Sequence, residues 1–429
     1  MRTLVVGGGG REHALAWACR RDCPGSTVFC LPGNAGTARI ATNLPGSATD
    51  VATVVRAARD NRINLVIVGP EGPLAAGLVD ALAKEGIPVF GPTAAAARIE
   101  ASKAFAKELM ARSGVPTARS HTFTELDAAE RYIDGHAEPL VVKASGLAGG
   151  KGAIVCATRT EARAAARAML AENALGKAGS EMLVEEFLEG EELSVLAITD
   201  GEHFAILPPA QDHKRLQDGD FGPNTGGMGA YCPVGVATPA LLRRIADEII
   251  APTLQALKAD GAPYRGVLYA GLMLRPDGSP AVIEFNCRFG DPEAQAILAA
   301  MPSGLVPVLR LIAEGGWMPS GISLGDARHA SVTTVLAAEG YPDAPVLGAE
   351  ISIPAELEAA PDVLLFHAGT AQGPDGRLRV AGGRVLGVTA IAPTIAEAAQ
   401  RSRVAAESIR FEGKQFRRDI GWRELARKR

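Results

Sequence analysis

The first hundred residues alternate short apolar runs with longer stretches in which polar side chains recur every three or four positions. The stretch at residues 12–21 has the spacing of a helix. The apolar runs, rich in Val, Leu and Ile, predict strands at residues 3–6, 27–31, 64–68 and 88–90. Strands that alternate with helices favour a parallel sheet covered on both faces. We therefore expect an α/β domain at residues 1–101.

Four glycines at residues 7–10 follow the first predicted strand. They fail the dinucleotide fingerprint GxGxxG, because counting from Gly7 puts Glu12 at the third glycine position. Bare backbone N–H groups at a helix start can instead bind an anion such as a sugar phosphate. Loops at residues 32–37 and 69–73 follow later strands, so all three loops are expected to border one crevice. Ordinary turn chemistry is the alternative.

From about residue 102 the pattern changes to a helix at 103–113 and a strand at 140–143 that ends in Lys143. A glycine-rich stretch at 145–152 and a strand at 153–156 follow, which together predict a hairpin with Lys151 at its tip. A Walker A loop would need glycine at 145 and a helix afterwards. A mobile hairpin can instead close over nucleotide phosphates, with the lysines neutralising charge. A merely flexible hairpin is the alternative.

Predicted strands at residues 183–187 and 204–207 are followed by two polar stretches. The cluster QDHKR begins at Gln211, and the loop GPNTGGMGA, which is rich in backbone donors, begins at Gly222. His213 is the histidine that most suggests catalysis, although a lone histidine beside an aspartate is more often structural.

Two strands at residues 265–274 and 281–285 are expected to pair across a short turn. Residues two apart on a strand share a face, so Glu284 and Asn286 aim two oxygen-bearing groups at one spot. Such a pair suits Mg²⁺. Arg288 returns to that face as a fork for phosphate or carboxylate. The alternative is a strand that ends in a charged turn with a weak surface ion pair.

The last segment, from about residue 325, has apolar strands near 331–337, 363–367 and 384–389 and a helix at 395–408. This predicts an α+β domain. The 429 residues thus divide into about three domains.

Composition narrows the functional classes. The net charge is −4 and basic residues form no stripe, which excludes a typical nucleic-acid binder. Six cysteines are scattered without a CxxC pair, as expected in a reducing cytoplasm. No apolar run reaches membrane-spanning length, and the start does not resemble a signal peptide.

The motifs in their order resemble one family. They run GGGGREHALAW, PGNAGT, GPEGPL, SKAF, VVKASGLAGGKG, EEFLEGEE, QDHKR, GPNTGGMGAY, IEFNCRFGDPEAQ, FHAGT, GGRVLGVTA and RRDIGW. Together they are similar to the phosphoribosylamine–glycine ligase (glycinamide ribonucleotide synthetase) family of the ATP-grasp superfamily, over essentially the whole chain. The resemblance implies a pre-ATP-grasp parallel-sheet domain, an ATP-grasp unit at 102–324 with a mobile lid at about 120–190, and a C-terminal α+β domain at 325–429.

The resemblance also implies the reaction. ATP, glycine and 5-phosphoribosylamine would give glycinamide ribonucleotide, ADP and phosphate through glycyl phosphate, in purine synthesis. Mg²⁺ or Mn²⁺ would be the metal. The partners would be these small molecules, without nucleic acid or membrane, for a monomer in the cytoplasm.

Matching positions carry the implied roles. The metal would lie on Glu284 and Asn286. The catalytic candidates are Arg288, Lys143, Lys151, Asp212 and His213. The ATP-binding candidates are Lys103, Lys143, Gly149, Lys151, Glu185, Phe187, Leu188, Glu192 and Lys214. The substrate-binding candidates are Gly9, Gly10, Arg11, Asn34, Gly36, Glu71, Gly226, Gly227, Met228, Arg288 and Asp291.

Some positions depart from the family pattern. Gly8 stands where relatives carry Asn or Ser. In the hairpin, Ser145 replaces an Asp and Gly149 an Ala, which should loosen it. Leu272 and Leu274 supply no carboxylate beside Glu284, so a second metal site would be weaker or built otherwise. The rival readings are another ATP-grasp carboxylate–amine ligase and a non-catalytic nucleotide sensor, which would have lost residues such as Lys143.

Overall fold

The amino-terminal segment forms a five-stranded parallel sheet in the order β3-β2-β1-β4-β5. The computed structural model describes residues 1–149, 152–319 and 322–427. Val, Leu and Ile side chains bury both faces of the inner strands, as the apolar runs predicted. The strands are β1 Arg2–Gly7, β2 Thr27–Pro32, β3 Thr42–Asn43, β4 Leu65–Val68 and β5 Val89–Phe90. The α/β domain expected at this end of the chain is confirmed.

Helices connect these strands and lead out of the sheet. The first helix begins at Gly10, where Glu12 in its first turn accepts a hydrogen bond from the N–H of Gly9. The helices are α1 Gly10–Asp22, α2 Thr37–Ile40, α3 Val51–Asp60, α4 Glu71–Ala75, α5 Leu78–Lys84, α6 Ala94–Ala101 and α7 Lys103–Ser113. The bounds predicted for the seventh helix match the structure.

A small antiparallel sheet follows, in the order β6-β9-β7-β8. With its two helices it encloses its own apolar cluster, around residues such as Ile133, Val142 and Met169. The glycine-rich turn between β7 and β8 includes Gly150 and Lys151, which lie outside the described residues. Its elements are β6 Ser120–Phe123, α8 Leu126–Asp134, β7 Leu140–Ala144, β8 Ala153–Cys156, α9 Arg159–Leu170, a 3₁₀ turn Gly176–Gly179 and β9 Met182–Glu186.

The central segment builds a second antiparallel sheet, β11-β10-β16-β17, and a separate two-stranded hairpin, β13-β14. The pairing expected between the strands around residues 270 and 283 is confirmed as β16 with β17. The strands are β10 Glu191–Thr199, β11 Phe204–Ile206, β12 Gln211–Asp212, β13 Arg215–Gln217, β14 Phe221–Asn224, β15 Gly229–Cys232, β16 Gly266–Leu274 and β17 Pro280–Asn286. The helices are a 3₁₀ turn Asp218–Asp220, α10 Pro239–Ile245, a π-helical turn Ala246–Ile250, α11 Ala251–Ala259, α12 Glu293–Ala300 and α13 Leu305–Ala313.

The third large sheet joins strands from the central and last segments, in the order β12-β15-β18-β22-β19. It therefore continues across the boundary that the sequence suggested near residue 325. The remaining elements are β18 Ala330–Ala337, α14 Ala355–Ala359, β19 Val363–His367, β20 Thr370–Gln372, β21 Leu378–Val380, β22 Arg384–Ala392, α15 Ile395–Ser408 and α16 Trp422–Ala426.

Within the described residues, no single helix is long and apolar enough to cross a membrane. Helices α12 and α13 together have the length and composition of a membrane span, but the chain bends by 114° between them.

Candidate functional site

The strand β17 carries an extra residue beside the predicted metal pair. Gly271 lies opposite Glu284 and Leu272 lies opposite Val282, so Ile283 bulges from the ladder. Residues 284 and 286 remain two apart on one side of this bulge and share a face, as predicted.

A chain of buried charges begins at that bulge. Lys143 Nζ donates to the Ile283 carbonyl at 3.0 Å and lies 2.8 Å from Glu185 Oε2. The other oxygen of Glu185 is 3.3 Å from Lys107 Nζ. Burial lowers the pKa of Lys107 to about 8, against the raising effect of Glu185. The sequence analysis missed Lys107, whose position on the buried side of α7 resembles that of a core residue.

Glu284 lies among cations. Burial alone would raise its pKa, but Lys214, Lys103, Lys143 and Arg288 hold the pKa of Glu284 below its usual value. Its carboxylate accepts no hydrogen bond from the described part of the chain, so its lone pairs remain available. Burial also lowers the pKa of Lys103. This cluster can neutralise several negative charges at once.

Arg288 is held by carboxylates from two other elements. Its Nη2 lies 3.0 Å from Glu100 Oε1 and donates to Asn286 Oδ1 at 3.0 Å, while its Nε lies 3.3 Å from Glu71 Oε2. Burial would lower the pKa of Arg288, but Glu100 and Glu71 raise it. Glu100 also accepts the N–H of Cys287 at 2.7 Å. Sequence reasoning missed Glu100, because nothing along α6 marks it as facing a residue 188 positions later.

Asp212 and Lys214 face the same space from β12 and the residues after it. Lys214 Nζ is 2.5 Å from Glu192 Oε2. Burial raises the pKa of Asp212 to about 8, opposed by Lys214 and assisted by Glu293 and Glu192. Asp212, Lys214 and Glu192 thus come together, and Asp212 and Lys214 interact with Glu284.

The His213 side chain faces the last residues of the chain, around Gly421. Its Nε2 accepts the N–H of Gly421 at 3.2 Å, and burial lowers its pKa to about 3. Its charged neighbours are Arg417 and Arg423 with Asp419 and Asp220. The geometry favours the structural alternative for His213 over direct catalysis.

Three of the ATP-binding candidates lie at the connection between two sheets. Glu185 belongs to β9, and Phe187 and Leu188 occupy the link between β9 and β10. The Phe187 side chain is partly exposed. Gly149 has φ of 56°, a left-handed conformation that glycine adopts readily.

A cavity of about 450 Å³ opens between the first and last domains. Asp291, predicted to bind substrate, lines it and pairs with Arg384 at 3.0 Å. The lining residues are Gly8, Gly9, Pro32, Gly33, Asn34, Asp291, Ala368, Gly369, Thr370, Ala381, Gly382 and Arg384. Two of the three loops expected to border one crevice, residues 7–10 and 32–37, line this cavity, whereas residues 69–73 do not. The wall contributed by FHAGT and GGR was not predicted.

Asn34 organises one side of this cavity. Its Nδ2 donates to the carbonyls of Gly8 at 2.9 Å and His367 at 2.7 Å. Its Oδ1 accepts the N–H groups of Gly36 at 2.8 Å and Thr37 at 2.9 Å. Asn34 therefore links the amino-terminal loop to the last domain.

The glycine-loop candidates differ in what they offer. The N–H of Gly9 is bound by Glu12 at 2.6 Å, and Gly10 begins α1. Arg11 is buried, donating to Glu12 and, at 3.1 Å, to the Phe289 carbonyl. Glu71, at the start of α4, turns to Arg288 instead of lining the cavity.

The loop at residues 226–228 contacts Arg384, the arginine that pairs with Asp291. Arg384 Nη1 donates to the Gly226 carbonyl at 2.5 Å and to the Asp291 carbonyl at 2.7 Å. Gly227 has φ of 107°, and a Cβ there would lie 2.5 Å from Pro292 Cδ. Met228 is buried.

Two departures from the family pattern have structural explanations. A Cβ on Gly8 would lie 2.6 Å from the Gly33 carbonyl oxygen, so a side chain does not fit. Ser145 is tied to the start of α7, where its Oγ accepts the N–H of Ala104 at 3.2 Å and its carbonyl accepts that of Lys103 at 2.8 Å. Ser145 therefore links the base of the hairpin to the start of α7.

Models of known families match most of the chain. The Phosphoribosylglycinamide synthetase N domain matches residues 1–100, its ATP-grasp (A) domain residues 101–294 and its C domain residues 331–423.

Individual relatives agree with these matches. A phosphoribosylamine–glycine ligase of Ralstonia nicotianae is 47% identical over 430 residues, which span all of both chains. The crystal structure of a phosphoribosylamine–glycine ligase from Thermotoga maritima is 37% identical, with a TM-score of 0.86 over 98% of this chain and 100% of that one. Biotin carboxylase from Campylobacter jejuni, 17% identical with a TM-score of 0.75 over 99% and 95% of the two chains, shares the fold.

Proposed function

The chain belongs to the phosphoribosylglycinamide synthetase family and ligates glycine to phosphoribosylamine with ATP, and from this premise we propose where each substrate binds. The observation that carries the proposal is the ring of cations around Glu284, beside a separate cavity that two domains close. The cations suit the phosphates of a nucleotide, and the cavity suits a sugar phosphate.

In our proposal, ATP binds between the sheet β6-β9-β7-β8, which would form the lid, and the central sheet β11-β10-β16-β17. The link at Phe187 and Leu188 takes adenine and Glu192 takes ribose, while Lys103, Lys143 and Lys214 face the phosphates. Lys143 supports this assignment, because its contacts with Glu185 and Ile283 fix its ammonium group beside Glu284. Gly149 and Lys151 would approach from the lid, although Lys151 lies outside the described residues.

Glu284 and Asn286 would hold Mg²⁺ or Mn²⁺. The donor set fits, because Glu284 is kept ionised by its neighbours and both residues offer oxygen to a hard cation. The described residues contain no group of three or more His, Cys, Asp or Glu suited to a metal. A magnesium ion that keeps water and phosphate oxygens in its shell needs only one or two protein carboxylates. When bound, the metal would neutralise phosphate charge.

The chemistry needs two steps because a carboxylate is a poor electrophile. A glycine carboxylate oxygen attacks the terminal phosphorus of ATP, which gives glycyl phosphate and ADP. The amine of phosphoribosylamine then attacks the acyl carbon, phosphate leaves, and the nitrogen loses a proton. Arg288 would stabilise the transferred phosphoryl group. Asp212 is our candidate acceptor for that proton.

Phosphoribosylamine is assigned to the cavity lined by Gly9, Asn34 and Asp291. Gly10 and Arg11 lie at the start of α1, where the helix dipole favours a phosphate. Glycine would bind between this cavity and Glu284, at residues 226–228. Gly36 and Glu71 would act indirectly, through Asn34 and Arg288.

We also propose that the protein is a monomer that acts on these small molecules in the cytoplasm. The test is ADP formation by the purified protein. Activity should require glycine and freshly prepared phosphoribosylamine together. ADP release with bicarbonate in their place, or with neither acceptor, would contradict the assignment.

A further inference from the structure

Among the described residues, the hairpin of β13 and β14 pairs with no other strand, and it lies between the candidate Lys214 and the candidate loop at residues 226–228. Lys214 directly precedes it and Thr225 directly follows it. The residues of β14 are exposed. An isolated two-stranded hairpin is marginally stable in water, so its position must be set by other contacts.

Arg417 supplies the central contact. Its side chain is completely buried. Its Nη1 lies 2.6 Å from Asp220 Oδ1 at the hairpin tip and donates to the Arg215 carbonyl at 3.2 Å. Its Nε and Nη2 bind the two oxygens of Asp419 at 2.8 and 2.7 Å. This bidentate pair fixes the guanidinium plane against the hairpin.

Neighbouring residues extend the contact. Asp419 Oδ2 accepts the N–H of Gly219 at 2.8 Å, and Asp218 accepts the N–H of Arg418 at 2.7 Å. Arg423 adds a second cation on Asp220. In the described part of the chain, the hydrogen bonds that leave residues 215–224 all end on residues 417–423.

Residues 417–423 also hold His213, which directly follows β12. Gly421 donates its N–H to His213 Nε2 at 3.2 Å. The backbone of His213 pairs in turn with Gly229 at 2.9 Å and Met228 at 2.8 Å. His213 therefore connects residues 417–423 to the strands on both sides of the hairpin.

Movements of the hairpin would reach the site directly. The Lys214 carbonyl accepts both the N–H and the Oγ–H of Thr225, at 2.7 and 2.8 Å. We propose that residues 417–423 form a positioning element for the ligase site. Through Arg417 and His213, this element sets the positions of Lys214 and of the loop at residues 226–228. The roles of Lys214 and that loop rest on the proposed function.

The test uses the full chain with Arg417→Met and, as a milder change, Asp220→Asn. Arg401→Met is the matched control, because Arg401 also binds a carboxylate, Asp362 at 3.2 Å, but lies on α15 away from the hairpin. Arg417→Met should lower kcat about tenfold and raise the KM for ATP and glycine, with less than about a twofold change for phosphoribosylamine. Asp220→Asn should act in the same direction, and Arg401→Met should leave all constants unchanged.

Hydrogen exchange gives a readout that does not depend on the ligase assignment. Residues 212–228 should exchange faster in Arg417→Met and Asp220→Asn, while residues 140–149 exchange as in the wild type. Unchanged exchange at 212–228, or faster exchange with wild-type kinetics, would overturn the proposal. So would a lowered thermal midpoint with no selective change in KM. A wild-type protein without ligase activity would instead defeat the proposed function and leave the exchange result decisive for the hairpin.

Discussion

Glu284 is the anion around which four cations collect. Glu284→Gln removes its charge and little volume, so we expect turnover to be lost while the fold persists. The measurement is kcat across a Mg²⁺ titration, together with circular dichroism. Glu314→Gln, which changes an exposed carboxylate paired with Arg310, is the control and should behave as wild type. Near wild-type activity at ordinary Mg²⁺ levels would show that Glu284 is not a metal ligand.

Asn34 offers a second test at the residue scale. Asn34→Ala leaves the Gly36 and Thr37 N–H groups and the His367 carbonyl without their partner. We expect a higher KM for phosphoribosylamine with those for ATP and glycine nearly unchanged. We also expect a loss of about 1–3 kcal/mol in unfolding free energy.

Steady-state kinetics and thermal unfolding check both effects of Asn34→Ala. Asn61→Ala, which removes a local bond to the Ala57 carbonyl in the same domain, is the comparison. If Asn34→Ala weakened ATP binding and spared phosphoribosylamine, the cavity would be a nucleotide site.

Single residues also show what sequence alone could reach. Glu284 and Asn286 were predictable, because alternation on a strand fixes which side chains share a face. Glu100 and Lys107 were not, since their partners Arg288 and Glu185 lie far along the chain. The position of His213 depends likewise on Gly421, which no local pattern connects to it.

At the scale of elements, the sheet β6-β9-β7-β8 encloses its own apolar cluster, apart from the larger cores. It can therefore move as a unit about the link at residues 187–190. We expect fast hydrogen exchange at residues 145–152 without nucleotide and slower exchange with ATP and Mg²⁺. Residues 395–408 of α15 serve as an internal control whose exchange should not change. Equal exchange at 145–152 in both states would count against a closing lid.

Elements were predicted better than their arrangement. The strands β19 and β17 follow apolar runs, and α7 and α15 follow helical spacing between capping residues. The third large sheet was not predicted, because β12 and β15 are short and β15 pairs with β18, about a hundred residues later. Pairing at such separation leaves no periodic signal.

At the scale of the whole molecule, two buried histidines lie where the first and last domains meet. The His367 N–H donates to His13 Nδ1 at 2.8 Å. Burial lowers the pKa of His13 to about 3 and that of His367 to about 4. Unfolded histidines bind protons below about pH 6.5, while these stay neutral when folded. Each histidine should therefore reduce stability by about 1.4 kcal/mol per pH unit as pH falls from about 6.5 towards 4.

Thermal unfolding midpoints between pH 7 and 5 test this dependence. His13→Asn keeps an acceptor for the His367 N–H but does not titrate, so its midpoint should fall less steeply than that of the wild type. His329→Asn changes an exposed histidine and should keep the wild-type slope. Equal slopes for all three proteins would refute the effect of burial.

The sheet β12-β15-β18-β22-β19 has a consequence for the nascent chain on the ribosome. After β15 ends at Cys232, its neighbour β18 does not begin until Ala330. Ribosomes add about 5–20 residues per second, so β15 waits roughly 5–20 s with one edge unpaired. During that interval β15 exposes a strand edge that can pair with other chains. A message truncated before the codon for Ala330 would therefore release a fragment that aggregates through the unpaired edge of β15. Translation to the end completes the ligase and also covers this edge with β18.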